Sequence, residues 1–211
     1  MKFIDTVNNR HSVRNFENKP IKKEDLEKII ETAGKAPSWA NVQPWKVVIA
    51  TGKSLEEIRD YHMTGAMERS EFPSLHRASM GIQGQRNLRT WSNGIRTFMG
   101  ADYNDMYEDS NKLFNAPAIA YLLLPRDITP WTIYDLGAFG QTLMLAAKDL
   151  GIDSMPAEEF VFNPSKLHEV LDISDDYVVA MGIGLGYAKD AKINKFRSKR
   201  MDLDKVLTIK D

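Results

Sequence analysis

The 211-residue chain contains no cysteine. Disulfides, thiolate nucleophiles, zinc-thiolate sites and cysteine-ligated iron-sulfur clusters are therefore excluded, and the composition suits a reducing cytoplasm. An excess of either charge is also lacking: Lys and Arg number 28 against 29 Asp and Glu, a formal net charge of -1. No global field draws in nucleic acid or an anionic membrane, so any charge-based function is local. Long apolar runs are missing too. The longest, near residues 116–124, stops far short of the roughly 20 residues that span a bilayer, and MKFIDTVNNR has no apolar core of signal-peptide length. Neither signal-directed export nor embedding in a membrane is expected.

Several catalytic motifs are absent. Gly182-Ile183-Gly184-Leu185-Gly186 follows a strand-like run, but a dinucleotide-binding G-x-G-x-x-G needs glycine where Tyr187 or Lys189 stands, and a charged segment follows. Those glycines instead suit close backbone packing. No phosphate-gripping G-x-x-x-x-G-K-[ST] and no G-x-S-x-G nucleophile elbow occurs. The four histidines, His11, His62, His76 and His168, have no metal-ligand spacing, so no metal is expected.

What is present is a chain with 43% hydrophobic residues, enough for a sizeable core, and a length that favours one domain. Residues 23–33 carry Leu26, Ile29, Ile30 and Ala33 on one helical face, with Gly34 and Pro37 as stops. Residues 46–50 (KVVIA) predict a buried strand, and Ser54 with Glu57 has the form of a capping box opening a second helix. Strands are predicted over 118–124, 152–155 and 177–185, and helices over 133–150 and 164–171. The small residues Gly137, Ala138, Gly140, Ala146 and Ala147 mark the longer helix as central. This alternation predicts a layered α/β or α+β fold around one sheet. Between about residues 63 and 109 no clear periodicity is seen, which suits a functional or mobile segment.

Three pieces carry polar chemistry. In Arg10-His11-Ser12-Val13-Arg14, an extended backbone puts Arg10, Ser12 and Arg14 on one face, suited to a phosphate and an adjacent polar ring; a solvated loop is the alternative. Residues 192–200 (KINKFRSKR) concentrate positive charge in a nearly neutral protein. A solvated tail or a nucleic-acid patch are the alternatives there, the second disfavoured because no matching basic stripe exists. Residues 36–45 (APSWANVQPW) join a helix to a strand, with two prolines for stiffness and Ser38, Asn41 and Gln43 for hydrogen bonds.

Taken in order, Arg-His-Ser-Val-Arg, then Pro-Ser-x-x-Asn-x-Gln-Pro-Trp before a strand, then Met155-Pro156-Ala157-Glu158-Glu159-Phe160, then Arg197-Ser198-Lys199-Arg200, resemble the nitroreductase family. The resemblance implies an α+β layered fold, with a mostly antiparallel central sheet flanked by helices, in an intertwined homodimer. It implies one domain over 1–211, with a substrate-covering segment at about 63–109. The cofactor would be FMN, reduced by NAD(P)H and reoxidised in ping-pong fashion by nitroaromatic, quinone or similar flat acceptors. A protein that stores or senses flavin without turnover is the alternative. By the same resemblance Arg10, Ser12 and Arg197, with Lys199 or Arg200, would hold the FMN phosphate, His11 would belong to the cofactor site, and Arg14 would face the pyrimidine edge. Pro37, Ser38, Trp39 and Asn41 would come from the partner subunit. Pro156, Ala157, Glu158 and Glu159 would lie along the ring near N5, the flavin itself carrying the chemistry. Two departures stand out: Glu159 replaces the family's glycine and Trp39 the second serine of its Pro-Ser-Ser loop. A further family contact ahead of the middle strand is placed at Asn111. Trp91 or Phe98 is expected to touch substrate, with Arg86, Arg89 or Arg96 able to meet an anionic group.

Overall fold

The computed structural model describes residues 2–72 and 76–211. Its core is one antiparallel sheet of four strands, β1 (Lys46–Thr51), β2 (Ala118–Pro125), β3 (Asp153–Ala157) and β4 (Tyr177–Gly186), in the order β1-β2-β4-β3. Among the described residues seven α-helices surround it: α1 (Phe3–Asn9), α2 (Lys23–Ala33), α3 (Gly52–Thr64), α4 (Gly81–Met99), α5 (Asp105–Asn111), α6 (Pro130–Asp149) and α7 (Pro164–Leu171). Among the described residues, no helix is long and apolar enough to cross a membrane.

Strand β2 is buried along all but its last residue, because helices cover both faces of the sheet. Its side chains alternate between two cores. Ala120, Leu122 and Leu124 join Leu26, Ile29, Phe139 and Leu143 under α2 and α6. Ile119, Tyr121 and Leu123 join Leu55, Ile58, Phe160 and Leu167 under α3 and α7. The approach of α6 depends on Gly140, where an added Cβ would already touch Leu122 Cδ1 at 3.4 Å. Gly182 and Gly184 in β4 leave room for the Phe160 ring; a Cβ at Gly184 would come within 2.8 Å of it.

Four expectations need correction. β1 is a sheet edge with Val47, Val48 and Ile49 half-buried, not a buried strand. α3 begins at Gly52 after Thr51, so Ser54 lies inside the helix and no side-chain cap forms there. α6 begins three residues before 133, where Thr129 and Thr132 exchange hydrogen bonds around Pro130. The segment 63–109 is not aperiodic coil, for it contains the 19-residue α4 and the shorter α5. The buried residues of α4 lie toward its C-terminal end, where Ile95 and Met99 pack with Ile193. Lys192 Nζ caps that end, donating to Met99 O at 2.7 Å and Asp102 Oδ2 at 2.8 Å. Residues 68–72 are stitched to the sheet by the Glu71 carboxylate. It accepts from Val179 N–H (3.2 Å) and Arg126 (2.9 Å) and faces His168 Nε2 at 3.0 Å. Val179 lies in the part of β4 that β3 does not cover, so the carboxylate closes an open sheet edge.

Candidate functional site

Helix α1 stops at Arg10, whose N–H donates to Thr6 O at 3.0 Å. The chain then runs beside β3, with Val13 N–H donating to Ser154 O at 3.1 Å and Ser12 bridging to Ser154. Val13 is buried as the anchor, which leaves Arg10, Ser12 and Arg14 on the alternate positions. The other end of the chain meets this segment through Asn194. Its Oδ1 accepts from Arg14 N–H (2.7 Å) and Asn15 N–H (3.2 Å), while its Nδ2 donates to Asn15 O and Lys189 O. Asn15 in turn donates through Nδ2 to the Asp109 carboxylate at 2.9 Å. Asp109, rather than the exposed Asn111, therefore reaches the site from α5.

The result is a basic cluster drawn from both ends of the sequence. Burial depresses the Arg10 guanidinium below its ordinary pKa, and the nearby Arg200 charge adds to this. His11 is likewise lowered, first by burial, with Arg197 adding to the effect and its Asn9 contact and Asp153 opposing it. Its Nδ1 donates to Asn9 O at 3.0 Å. Arg197 is fixed through NH1 to the carbonyls of Asn194 (2.7 Å) and Phe196 (3.0 Å). Lys199 is exposed, and among the described residues no hydrogen bond or ion pair ties it to the cluster. Arg14 is the extreme case: 9% exposed, with its pKa lowered by burial and a single long contact from NH1 to Ser12 O at 3.4 Å. Among the described residues no carboxylate offsets it. The Trp91 ring centroid on α4 lies 5.9 Å from the Arg14 guanidinium carbon. On β3, where Ser12 bridges to it, the Ser154 hydroxyl is buried without a partner among the described residues. A desolvated cation and an orphaned hydroxyl both favour a polar, electron-rich ligand.

The segment after β3 supplies a second wall. Pro156 and Glu158 line an apolar cavity of about 370 Å³ between α6 and the sheet, with Leu136, Gly137, Met144 and Met181. Glu159 leaves in another direction, its Oε1 lying 3.5 Å from His62 Nε2 on α3. Ala157 ends β3 within the other core.

The loop with Pro37, Ser38, Trp39 and Asn41 is held apart from this cluster. Trp39 N–H donates to the buried Asp135 on α6 at 3.0 Å, and Gln43 N–H donates to Ser38 Oγ at 3.0 Å. Ala40 and Asn41 take positive φ values of 46° and 60°, a conformation that asparagine tolerates better than most residues. Within one chain its recorded hydrogen bonds run to α6 and to itself, none to the cluster, and Trp39 is 61% exposed. Phe98 packs on Phe196 with ring centroids 5.6 Å apart, and Arg96 stacks on Tyr103, so both serve the attachment of α4. Sequence reasoning missed Asn194, Asn15, Asp109 and His62. The pattern that was there to be read is Trp91, Ile95 and Phe98 at helical spacing, which places α4 against the tail.

Residues 7–187 match the family model described as Nitroreductase family. Nitroreductase NfnB of Mycolicibacterium smegmatis is 28% identical over 206 residues, covering 93% of this chain and 88% of that protein. A 4-nitrobenzoate reductase of Pseudomonas putida is 26% identical, covering 94% and 91%. The crystal structure of the FMN-dependent NfnB from Mycobacterium smegmatis in complex with NADPH superposes with a TM-score of 0.90 at 25% identity, covering 99% of this chain and 97% of that one.

Proposed function

The chain belongs to the nitroreductase family, and from that premise we propose that it is an FMN-dependent oxidoreductase. It takes reducing equivalents from NAD(P)H and passes them to nitroaromatic, quinone or similarly flat, electron-poor acceptors. The observation that carries this reading is the buried Arg14 guanidinium, free of any carboxylate, beside a basic cluster built from residues 10–11 and 197–200. Arg10, His11, Ser12, Arg197 and Arg200 would hold the phosphate, with Lys199 close in sequence, and Arg14 would hold the pyrimidine edge. Pro156, Ala157, Glu158 and Glu159 would lie along the ring. When bound, FMN supplies the two-electron carrier chemistry between reductant and acceptor. The protein's part is to position the ring, to place positive charge where electron density builds up, and to screen the pocket from water. The reductant and the acceptor would use that pocket in turn.

We also infer a homodimer. Trp39, Phe3, Ile4, Val7, Trp131, Ile133 and Tyr134 are all exposed in the single chain, on the loop, α1 and the first turns of α6, and α6 contacts both the loop and α1. An apolar patch of this kind suits an obligate partner. Pro37, Ser38, Trp39 and Asn41 would then complete the partner's site, with segment 63–109 as cover over one domain. A cytoplasmic setting, where NAD(P)H is at hand, belongs to the same reading.

The test is spectroscopic. The purified protein should be yellow, should release FMN on denaturation, should bleach with NAD(P)H, and should recover colour when a nitroaromatic is added. Bleaching without recovery by any acceptor would favour flavin storage or sensing, and absence of flavin would overturn the proposal.

A further inference from the structure

The helical turn Glu158–Val161 that follows β3 carries two consecutive carboxylates, and they diverge. Glu158 lines the cavity beside α6, whereas Glu159 reaches α3, where it meets His62 at 3.5 Å. The His62 side chain is 4% exposed and that of Glu159 26%, so the contact lies at the rim of the α3 core. His62 lines a small cavity with the apolar Ile58, Phe160 and Leu167 and with the polar Tyr61, Asn163 and Lys166, and an imidazole buried to this degree needs a polar partner. Among the described residues Glu159 is that partner. The same turn is gripped from below by Phe160, whose ring fills the space left by Gly182 and Gly184 and lies 5.6 Å from the Phe114 ring centroid.

We propose that His62 and Glu159 are positioning residues for the flavin-facing turn. By drawing the Glu159 side chain sideways onto α3, the contact keeps it off the ring and fixes the backbone of residues 157–159 that faces it. A glycine at this position would leave the face equally clear but allow the turn more conformations. The proposal rests on the flavin reading above. It makes His62, remote from the basic cluster, part of the machinery that orients the ring.

The experiment compares the full-length wild type with His62→Ala, Glu159→Ala, their double mutant, and the conservative His62→Gln, which keeps a donor near the position of Nε2. FMN dissociation constants, the flavin midpoint potential and thermal melting are measured on each. Each alanine variant should weaken FMN binding by about three- to tenfold and shift the potential. The double mutant should lose less than the product of the two single losses, and His62→Gln should stay within about twofold of wild type. Unchanged affinity and potential in Glu159→Ala, losses that multiply in the double mutant, or a lowered melting point alone would overturn the proposal. A wild type that holds no FMN would overturn the functional reading and this proposal with it, whereas flavin-loaded wild type beside unaffected variants would overturn the proposal only.

Discussion

Burial lowers the pKa of Arg14, and the guanidinium receives one long carbonyl contact in return. A buried charge in that condition destabilises the protein that carries it. Replacing it with methionine, of similar length and apolar, should therefore raise the melting temperature of the flavin-free protein. The same change should weaken FMN binding by about 1.5–3 kcal/mol, roughly ten- to a hundredfold. Calorimetry of the flavin-free protein and a flavin titration check the two halves; a fall in both would make Arg14 a structural residue. If Arg10 and Arg197 hold the phosphate as proposed, Arg10→Ala and Arg197→Ala should weaken FMN binding by a similar factor of about ten or more while riboflavin, which lacks the phosphate, barely responds. Equal losses for both flavins would remove these residues from the phosphate grip. His11 adds a pH dependence. Its folded pKa is lowered, first by burial, so the unfolded chain binds the proton more readily. Its contribution is then present above the ordinary histidine value of about 6.5 and is lost as pH falls below it. Melting curves from pH 8 to pH 5.5 should show this loss, and His11→Gln should flatten it.

At the scale of the element, two supports invite substitution. Gly182 lies against Phe160 so closely that an added Cβ would overlap the ring's own Cβ, and Gly182→Ala should destabilise by about 1–3 kcal/mol while disturbing flavin binding through the turn 158–161. Glu71 is pushed up by burial, but Val179 N–H, His168 and Arg126 outweigh that and hold it below the ordinary carboxylate value. Glu71→Ala leaves His168 and the Val179 N–H without their acceptor and should cost about 1–3 kcal/mol; chemical denaturation measures both variants, and a change in either within error of zero would contradict the packing described. How far these elements could be read from sequence depends on where their partners lie. The bounds of α2 and α7 match their apolar periodicity because each packs a continuous stripe, Leu26, Ile29 and Ala33 in α2 and Leu167 with its neighbours in α7. α4 was missed because its stripe, Trp91, Ile95 and Phe98, is interrupted by Gly94 and is satisfied by Ile193 and Phe196 far along the chain. The cap at Thr129 was missed since its partner is Thr132, not the glutamate or glutamine that usually marks the motif. In the site, the arginines were visible as charge. Asn194 was not, because an amide that ties two backbone segments looks like any other polar residue until those segments are side by side.

For the whole molecule, the apolar face around α1 and the first turns of α6 should be buried in a dimer of more than about 2,000 Å². Ile133→Asp should dissociate that dimer and, with Trp39 and Asn41 then missing from the neighbouring site, reduce flavin content; sedimentation together with the flavin-to-protein absorbance ratio reads both. A fully flavinated monomer would contradict the arrangement. Asn194 joins the backbone of Arg14 across 180 positions of sequence, and this has a consequence for biosynthesis. On the proposed assignment the N-terminal half of the phosphate grip leaves the ribosome first, and the half around Arg197 and Arg200 follows only after all four strands described above have been made. Flavin retention should then require synthesis to have passed residue 200, since a chain stalled before residue 190 would lack Arg197 and Arg200. Ligand present at a hundred times its dissociation constant adds about 2.7 kcal/mol to the folded state. A cell short of riboflavin should accordingly lose this protein to proteolysis as well as to inactivity, and its abundance should follow the vitamin.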